Sequence, residues 1–187
     1  KQIKHTLDLI DLSYVHIPFL DTEFKNKLTE NAILYSFTDQ FIMSLGYTYS
    51  RSNFDPSKKI PSLYSFRGSI ESAGNLLALA AVLAKVPEDE YGSKKIFNTY
   101  FAQYIKGNFD YSRTFRLDKK NSFAWRVGSG VAVPYGNYKL VPYQKRFYSG
   151  GANSVRGWAV RELGPGAHYS SSSDFYAHSG DIRFDAN

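Results

Sequence analysis

The sequence predicts an all-β fold, an antiparallel transmembrane β-barrel, to which the 187 residues contribute about six strands and one long inward-folding loop. Three observations carry this. Apolar and polar residues alternate with period two over stretches far longer than the usual globular strand of about 5–6 residues. Short turns and long loops take turns between those stretches, as they do in outer-membrane barrels. The face opposite the apolar one is small and polar, which suits a lumen. A soluble sandwich would show the same alternation with its apolar face inside, so strand length, loop asymmetry and the small polar face decide between the two.

The expected strands lie near 1–15, 38–53, 62–73, 96–117, 121–134 and 178–187. In the first, Ile3, Leu7 and Leu9 share a face and the phase then slips to Ile10, Leu12 and Tyr14, the mark of a bulge or of a strand leaving the membrane. In the second, Phe41, Met43, Leu45, Tyr47 and Tyr49 alternate against Gln40, Ser44, Gly46, Thr48 and Ser50. In the third, Tyr64, Phe66 and Ile70 alternate against Ser65, Arg67, Ser69 and Glu71. The fourth is the longest, with mainly apolar odd positions and mainly polar even ones from Phe97 to Leu117. Spanning a bilayer takes roughly 9–11 residues, so the excess is expected to project beyond it. In the fifth, Phe123, Trp125, Val127, Val131 and Val133 oppose Ala124, Arg126, Gly128, Gly130 and Ala132; in the last, Ile182, Phe184 and Ala186 oppose Asp181, Arg183 and Asp185. The face with Leu45, Phe101, Ile105, Phe109, Phe123, Val127 and Val131 is expected to meet lipid, and Gln40, Lys106, Asp110 and Arg126 to line the lumen.

Connections 53–61 and 118–121 are short, whereas 16–38, 73–96 and 135–179 are long. Short turns belong to the periplasmic side and long loops to the outside. Good helix formers at 76–85 predict a short helix lying over the barrel mouth, and the serine run at 170–173 a loop tip.

Composition removes several other classes. The chain is basic, with net charge +6, and 17% aromatic, but its Lys and Arg are scattered in short pairs rather than clustered for nucleic acid. Aromatics strung along strands fit the interfacial girdles of membrane barrels. Without Cys there is no disulfide, no Cys-zinc site and no Cys nucleophile. No run of about eighteen apolar residues provides a spanning helix. The chain opens directly on strand-like sequence, so either a leader has been removed or this is a piece of something longer. His5, His16, His168 and His178 show no short ligand spacing, which argues against a metal site. Gly128-Ser129-Gly130 sits inside a strand rather than on a strand-to-helix elbow, and Ser149-Gly150-Gly151 is no better placed, so a serine hydrolase is not supported. Glu88, Asp89 and Glu90 beside Pro87 read as a solvated acidic loop. No enzyme and no cofactor are expected.

The long stretch from Lys145 to Gly166 is too rich in Gly for a helix and too irregular for a strand. Gly allows close approach and unusual backbone angles. Arg156 and Arg161 supply fixed charges, and Trp158 a large ring able to act as a wedge. The set Phe147, Gly150, Gly151, then Val155, Arg156, Gly157, Trp158, then Arg161, Gly164 and Pro165 resembles the VRGF/Y loop of the outer-membrane assembly barrels, the BamA/TamA superfamily. Trp158 stands where that motif usually has Phe or Tyr. The resemblance implies that Arg156 points into the barrel and pairs with acidic residues of the wall. Asp181 and Asp185 are the candidates here, with a further partner expected past Asn187. Sequence physics alone leaves a solvated loop charge equally open for Arg156.

The resemblance further implies insertion or translocation of other proteins at the outer membrane of a Gram-negative bacterium. Client strands would add at a weak seam while the loop braces the wall, without a catalytic residue or nucleotide. The implied partners are outer-membrane lipid, client outer-membrane or secreted proteins, and periplasmic or lipoprotein accessory subunits. A two-partner-secretion transporter is the near alternative. A passive porin or uptake barrel, and a soluble carbohydrate-binding β-domain, are alternatives of other classes. Residues 1–187 would be part of a single barrel domain, roughly the seventh to the twelfth of about sixteen strands, without its POTRA domains and closing strands.

Overall fold

The computed structural model describes residues 2–16, 39–55, 62–89, 92–152, 154–163 and 179–187. Long strands β1 (Gln2–Val15), β2 (Gln40–Ser52), β3 (Ser62–Ala73), β6 (Tyr104–Arg116) and β7 (Ser122–Pro134) pair antiparallel, and β8 (Ile182–Ala186) pairs with β7. Two short strands, β4 (Lys95–Ile96) and β5 (Thr99–Phe101), and one helix, α1 (Asn75–Leu83), sit between β3 and β6. The sheet is open, running β4-β5-β2-β3-β6-β7-β8, with β1 also on β2.

Register makes the two faces explicit, because residues opposite each other share a face. Leu45, Ser72, Ile105 and Val133 lie on one rung, and Tyr49, Gly68, Phe109 and Ser129 on another. This apolar face is open: Leu45, Ile70, Phe109, Phe123, Val131 and Ile182 are all exposed. Aromatic side chains gather on it toward the short-turn end, where the Phe66 ring meets Phe109 edge-on at 5.4 Å and Tyr111 tilts against Trp125 at 5.3 Å. The other face carries Glu71 opposite Lys106, Asp110 opposite Gly128, and Gly130 opposite Arg183. The phase slip in β1 is a bulge: pairing to β2 jumps between Asp8 and Asp11, which keeps Leu7 and Leu12 on the apolar face across the irregularity.

The long fourth strand is corrected. Residues 96–117 do not form one strand, because Phe97 and Asn98 both adopt positive φ (49° and 60°) and close a two-residue turn between β4 and β5. β5 then runs parallel to β2, pairing with Gln40 and Phe41 beyond the last β2–β3 pair at Ser44 and Ala73. The chain breaks at Ala102 and Gln103, both buried, before β6 begins. Phe101 is paired beside Phe41 yet is only 1% exposed, so it does not meet lipid as expected.

Helix α1 starts at Gly74, whose φ of 78° and whose absent Cβ, which would lie 2.2 Å from the Ala102 carbonyl oxygen, both require glycine. It ends when Lys85 turns left-handed (φ 51°): the Lys85 amide donates to the Val82 carbonyl and the Val86 amide to that of Ala81, with Pro87 following. The acidic loop beyond is not simply solvated, since Asp89 accepts from the Tyr100 hydroxyl at 2.6 Å and from the Ser93 amide at 2.9 Å. Glu90 lies outside the described residues.

The turn between β6 and β7 is built on Asp118. Its carboxylate accepts the backbone amides of Lys120 and Asn121 and the Asn121 side-chain amide. These hydrogen bonds, the Asn121 side chain first, hold its pKa below the ordinary 3.8. A depressed carboxylate supports the turn above its unfolded pKa and loses that support as pH falls through the folded value. The carboxyl resonance of Asp118 is therefore expected to titrate below 3.8, and Asp118→Asn to remove the acid-side step in the Lys120 and Asn121 amide shifts.

Candidate functional site: a loop folded across the lumen

The chain leaving β7 turns back over the polar face at Gly136, where φ is 64° and a Cβ would lie 2.3 Å from Gln103 Oε1. That Gln103 oxygen accepts the Asn137 amide at 2.7 Å, and the buried Tyr138 hydroxyl accepts from Gln40 Nε2 at 2.9 Å. Val141 is buried, and a 3-10 turn follows at Tyr143–Lys145. From this turn onward the loop is anchored to the polar faces of several strands and to the residues that lead into β8.

Lys145 reaches β3 and β1. Its Nζ donates to Glu71 Oε1 at 2.8 Å and approaches Asp11 Oδ2 at 3.4 Å, while its carbonyl accepts from Lys106 Nζ at 2.7 Å. Glu71 Oε1 also accepts the Tyr104 hydroxyl at 2.7 Å. Burial opposes the charge on Lys145, but the hydrogen bond to Glu71 and the nearby carboxylates of Glu71 and Asp11 hold its pKa above the ordinary 10.5. Arg146, with its side chain about one-tenth exposed, donates from Nε to Asp181 Oδ1 at 3.0 Å.

Phe147 is the wedge. It exchanges two backbone hydrogen bonds with Gly180, of 2.9 and 2.8 Å. Its ring is 5% exposed and lies over Gly130 of β7, where an added Cβ would come within 2.5 Å of Cζ. An aromatic ring in a polar lumen gains from cations on its faces, and Phe147 has Lys106 Nζ at 4.4 Å from the ring centre and the Arg183 guanidinium at 5.7 Å. Below it, Asp110 holds Arg126 in a close ion pair and Arg183 at 3.8 Å. Asp185 accepts the Ser154 hydroxyl at 3.1 Å and sits 2.8 Å from Arg183 Nε. A cavity of about 430 Å³ remains between loop and wall, lined by Lys106, Asn108, Arg126, Phe147, Gly150 and Arg183.

The two glycines after the wedge are needed for close backbone approach: at Gly150 (φ 99°) a Cβ would meet the Ala159 carbonyl oxygen at 2.2 Å, and Gly151 (φ 85°) donates its amide to the Trp158 carbonyl. Arg161 locks this fold-back. Its guanidinium lies 4.3 Å from the Tyr143 ring centre and 4.8 Å from that of Tyr148, and its amide donates to the Ser149 carbonyl.

Among the motif residues, then, the structure brings Phe147, Gly150, Gly151 and Arg161 into one packed unit. It does not pair Arg156 with Asp181 or Asp185, because Asp181 is held by Arg146 and Asp185 by Arg183 and Ser154. Arg156 is exposed and donates to the Ala152 carbonyl at 3.2 Å, and it lines an open cavity together with Ser112 and Thr114 of β6. Trp158 is 50% exposed and Val155 38%, whereas Phe147 is 5% exposed against the wall. Gly157 is exposed beside them, with nothing crowding its Cβ position. Gly164, Pro165, His168 and His178 lie outside the described residues. Lys145, Arg146, Glu71 and Tyr104, which do most of the anchoring, were not among the expected site residues. The signal for them was weak: two cations just before the Phe147 motif, and one carboxylate on the polar face of β3.

The fold, its apolar outer face and the loop lying across the polar face all suit a barrel with an internal loop, and the chain matches the Omp85 superfamily domain over residues 5–187. This chain belongs to the Omp85 superfamily. No solved structure matches it. Omp85 proteins are outer-membrane barrels of Gram-negative bacteria or organelles, and they serve in assembly or transport of other proteins rather than as enzymes. The apolar face of this Omp85 chain is accordingly the lipid-facing one, and its polar face the lumen.

Proposed function

We propose that the barrel inserts or translocates other proteins at the outer membrane of a Gram-negative bacterium, in the manner of the BamA/TamA branch, with no catalytic residue and no cofactor. The observation that supports this reading is the brace: one loop ties β1, β3, β6, β7 and β8 together from inside through Lys145, Arg146, Phe147 and Ser154. A wall stiffened in this way leaves opening to a seam elsewhere in the barrel, where client strands add by edge pairing. In this reading residues 1–187 are later-middle strands of one barrel domain, and the seam, POTRA domains and accessory periplasmic or lipoprotein subunits come from outside them. Arg156, at the loop tip, then reaches a wall carboxylate outside residues 1–187.

The test is depletion of the full-length protein in its cell and complementation with variants, reading the heat-modifiable gel mobility of other outer-membrane proteins. Loss of the protein is expected to lower folded client barrels, and Arg156→Ala to complement poorly while Arg156→Lys complements in part, since lysine keeps the charge but not the two-pronged geometry. Unchanged client levels together with reduced solute uptake would identify a passive pore instead.

A further inference from the structure

We propose that α1 is an interfacial membrane helix, lying in the acyl-chain boundary of the leaflet at the long-loop end, with lipid chains as its occupant. The helix carries no charge from Asn75 through Ala84 and no polar residue after Asn75. A helix that is apolar all round belongs in a core or in a membrane, yet α1 is not in a core. Leu76, Leu79, Val82 and Leu83 are 44%, 57%, 59% and 75% exposed, while Ala81, at 1%, is the buried one.

Its placement says which environment covers those side chains. Asn75 Nδ2 donates to Ser72 Oγ at 2.8 Å, and the Tyr135 hydroxyl donates to Asn75 Oδ1 at 2.7 Å. Ser72 shares its rung with Leu45 and Ile105, which are 40% and 41% exposed on the lipid-facing side of the sheet. The helix therefore springs from the outer rung of the apolar band, and its leucines continue that band. The polar trio of Ser72, Asn75 and Tyr135 sits where the membrane interface is expected, and tyrosine is a common residue there. Charges return just past the helix at Lys85, Glu88 and Asp89, the pattern of a short element whose apolar body enters the leaflet and whose end returns to water.

Residues 1–187 contain no Cys, so nitroxide labels at Leu79→Cys, Val82→Cys and Leu83→Cys are single within them, and any Cys elsewhere in the full-length protein is replaced by Ser before reconstitution in phospholipid bilayers. Collision with oxygen, which partitions into lipid, is compared with collision with a water-soluble nickel chelate. Phe109→Cys serves as the lipid reference and Lys120→Cys as the water reference. The helix labels are expected to match Phe109 in their oxygen-to-nickel ratio, with Lys85→Cys shifted toward Lys120. Ratios like that of Lys120 would place the helix in water and overturn the proposal. Protection from both quenchers would mean that protein covers the helix, and would overturn it equally.

Discussion

Phe147→Ala is expected to release the loop from the wall at a cost of about 3–5 kcal/mol, the range for removing a buried aromatic ring. The ring is nearly fully buried, fills the space above Gly130 and carries cations on its faces, so its loss leaves a polar cavity and strips Lys106 and Arg183 of their aromatic contact. Gly130→Val should act from the other side. A Cβ there would sit 2.5 Å from the Phe147 ring, and because the Phe147 backbone is paired with Gly180 the ring has to leave its place over β7. Both variants are expected to lower the temperature at which the full barrel changes gel mobility and to expose the 147–161 segment to protease. Because both act through one contact, the double variant should be little worse than Phe147→Ala alone. Additive losses would mean that Gly130 matters for a reason other than the wedge.

Lys145→Ala is the second large effect. It leaves Glu71 with Tyr104 but without its cation and removes the approach to Asp11. Both partners are about a quarter exposed, so the expected loss is about 1–3 kcal/mol, below that of a fully buried pair. Glu71→Gln keeps an acceptor for the Tyr104 hydroxyl and should cost less than Glu71→Ala. The charge swap Lys145→Glu with Glu71→Lys should recover part of the loss, which a merely steric role would not allow. The pH dependence has a definite sign. The folded pKa of Lys145 is raised above 10.5, so its contribution is full below that value and is lost as pH rises through the folded pKa. Loop protection measured by amide exchange should therefore persist through neutral pH and fall only in strongly alkaline solution. The same scan in Lys145→Ala should lack that alkaline step.

The fold was legible because membrane strands carry a two-sided sequence. Alternation from Tyr104 to Arg116 and from Ser122 to Pro134 fixes which side chains face lipid, and the register bears this out at Ile105, Phe109, Val131 and Val133. It failed between Ile96 and Gln103, where Phe97 and Phe101 keep the phase of a strand although one caps a turn at positive φ and the other is buried against the sheet end. Phase alone does not report φ, and a Phe at a left-handed position is a poor advertisement for a turn. The site was legible only where the motif forces the backbone, at Gly150 and Gly151, and at the aromatic Phe147. Its anchors depend on partners far apart in the chain, Lys145 with Glu71 and Arg146 with Asp181, and no local pattern encodes such pairings. Arg156 and Arg161 look alike in sequence. What separates them is that Tyr143 and Tyr148 happen to bracket one and not the other.

Amide hydrogen exchange on the full barrel in bilayers tests the brace most directly. The Phe147 and Gly180 amides, which bond each other's carbonyls and so hold the loop to the wall, are expected to exchange as slowly as the strand amides of Asn108 and Gly130, with Gly151 and Arg161 protected alongside them. Exchange at Phe147 and Gly180 as fast as in the exposed 118–121 turn, with the strands still protected, would contradict it and show a loop that is not held to the wall.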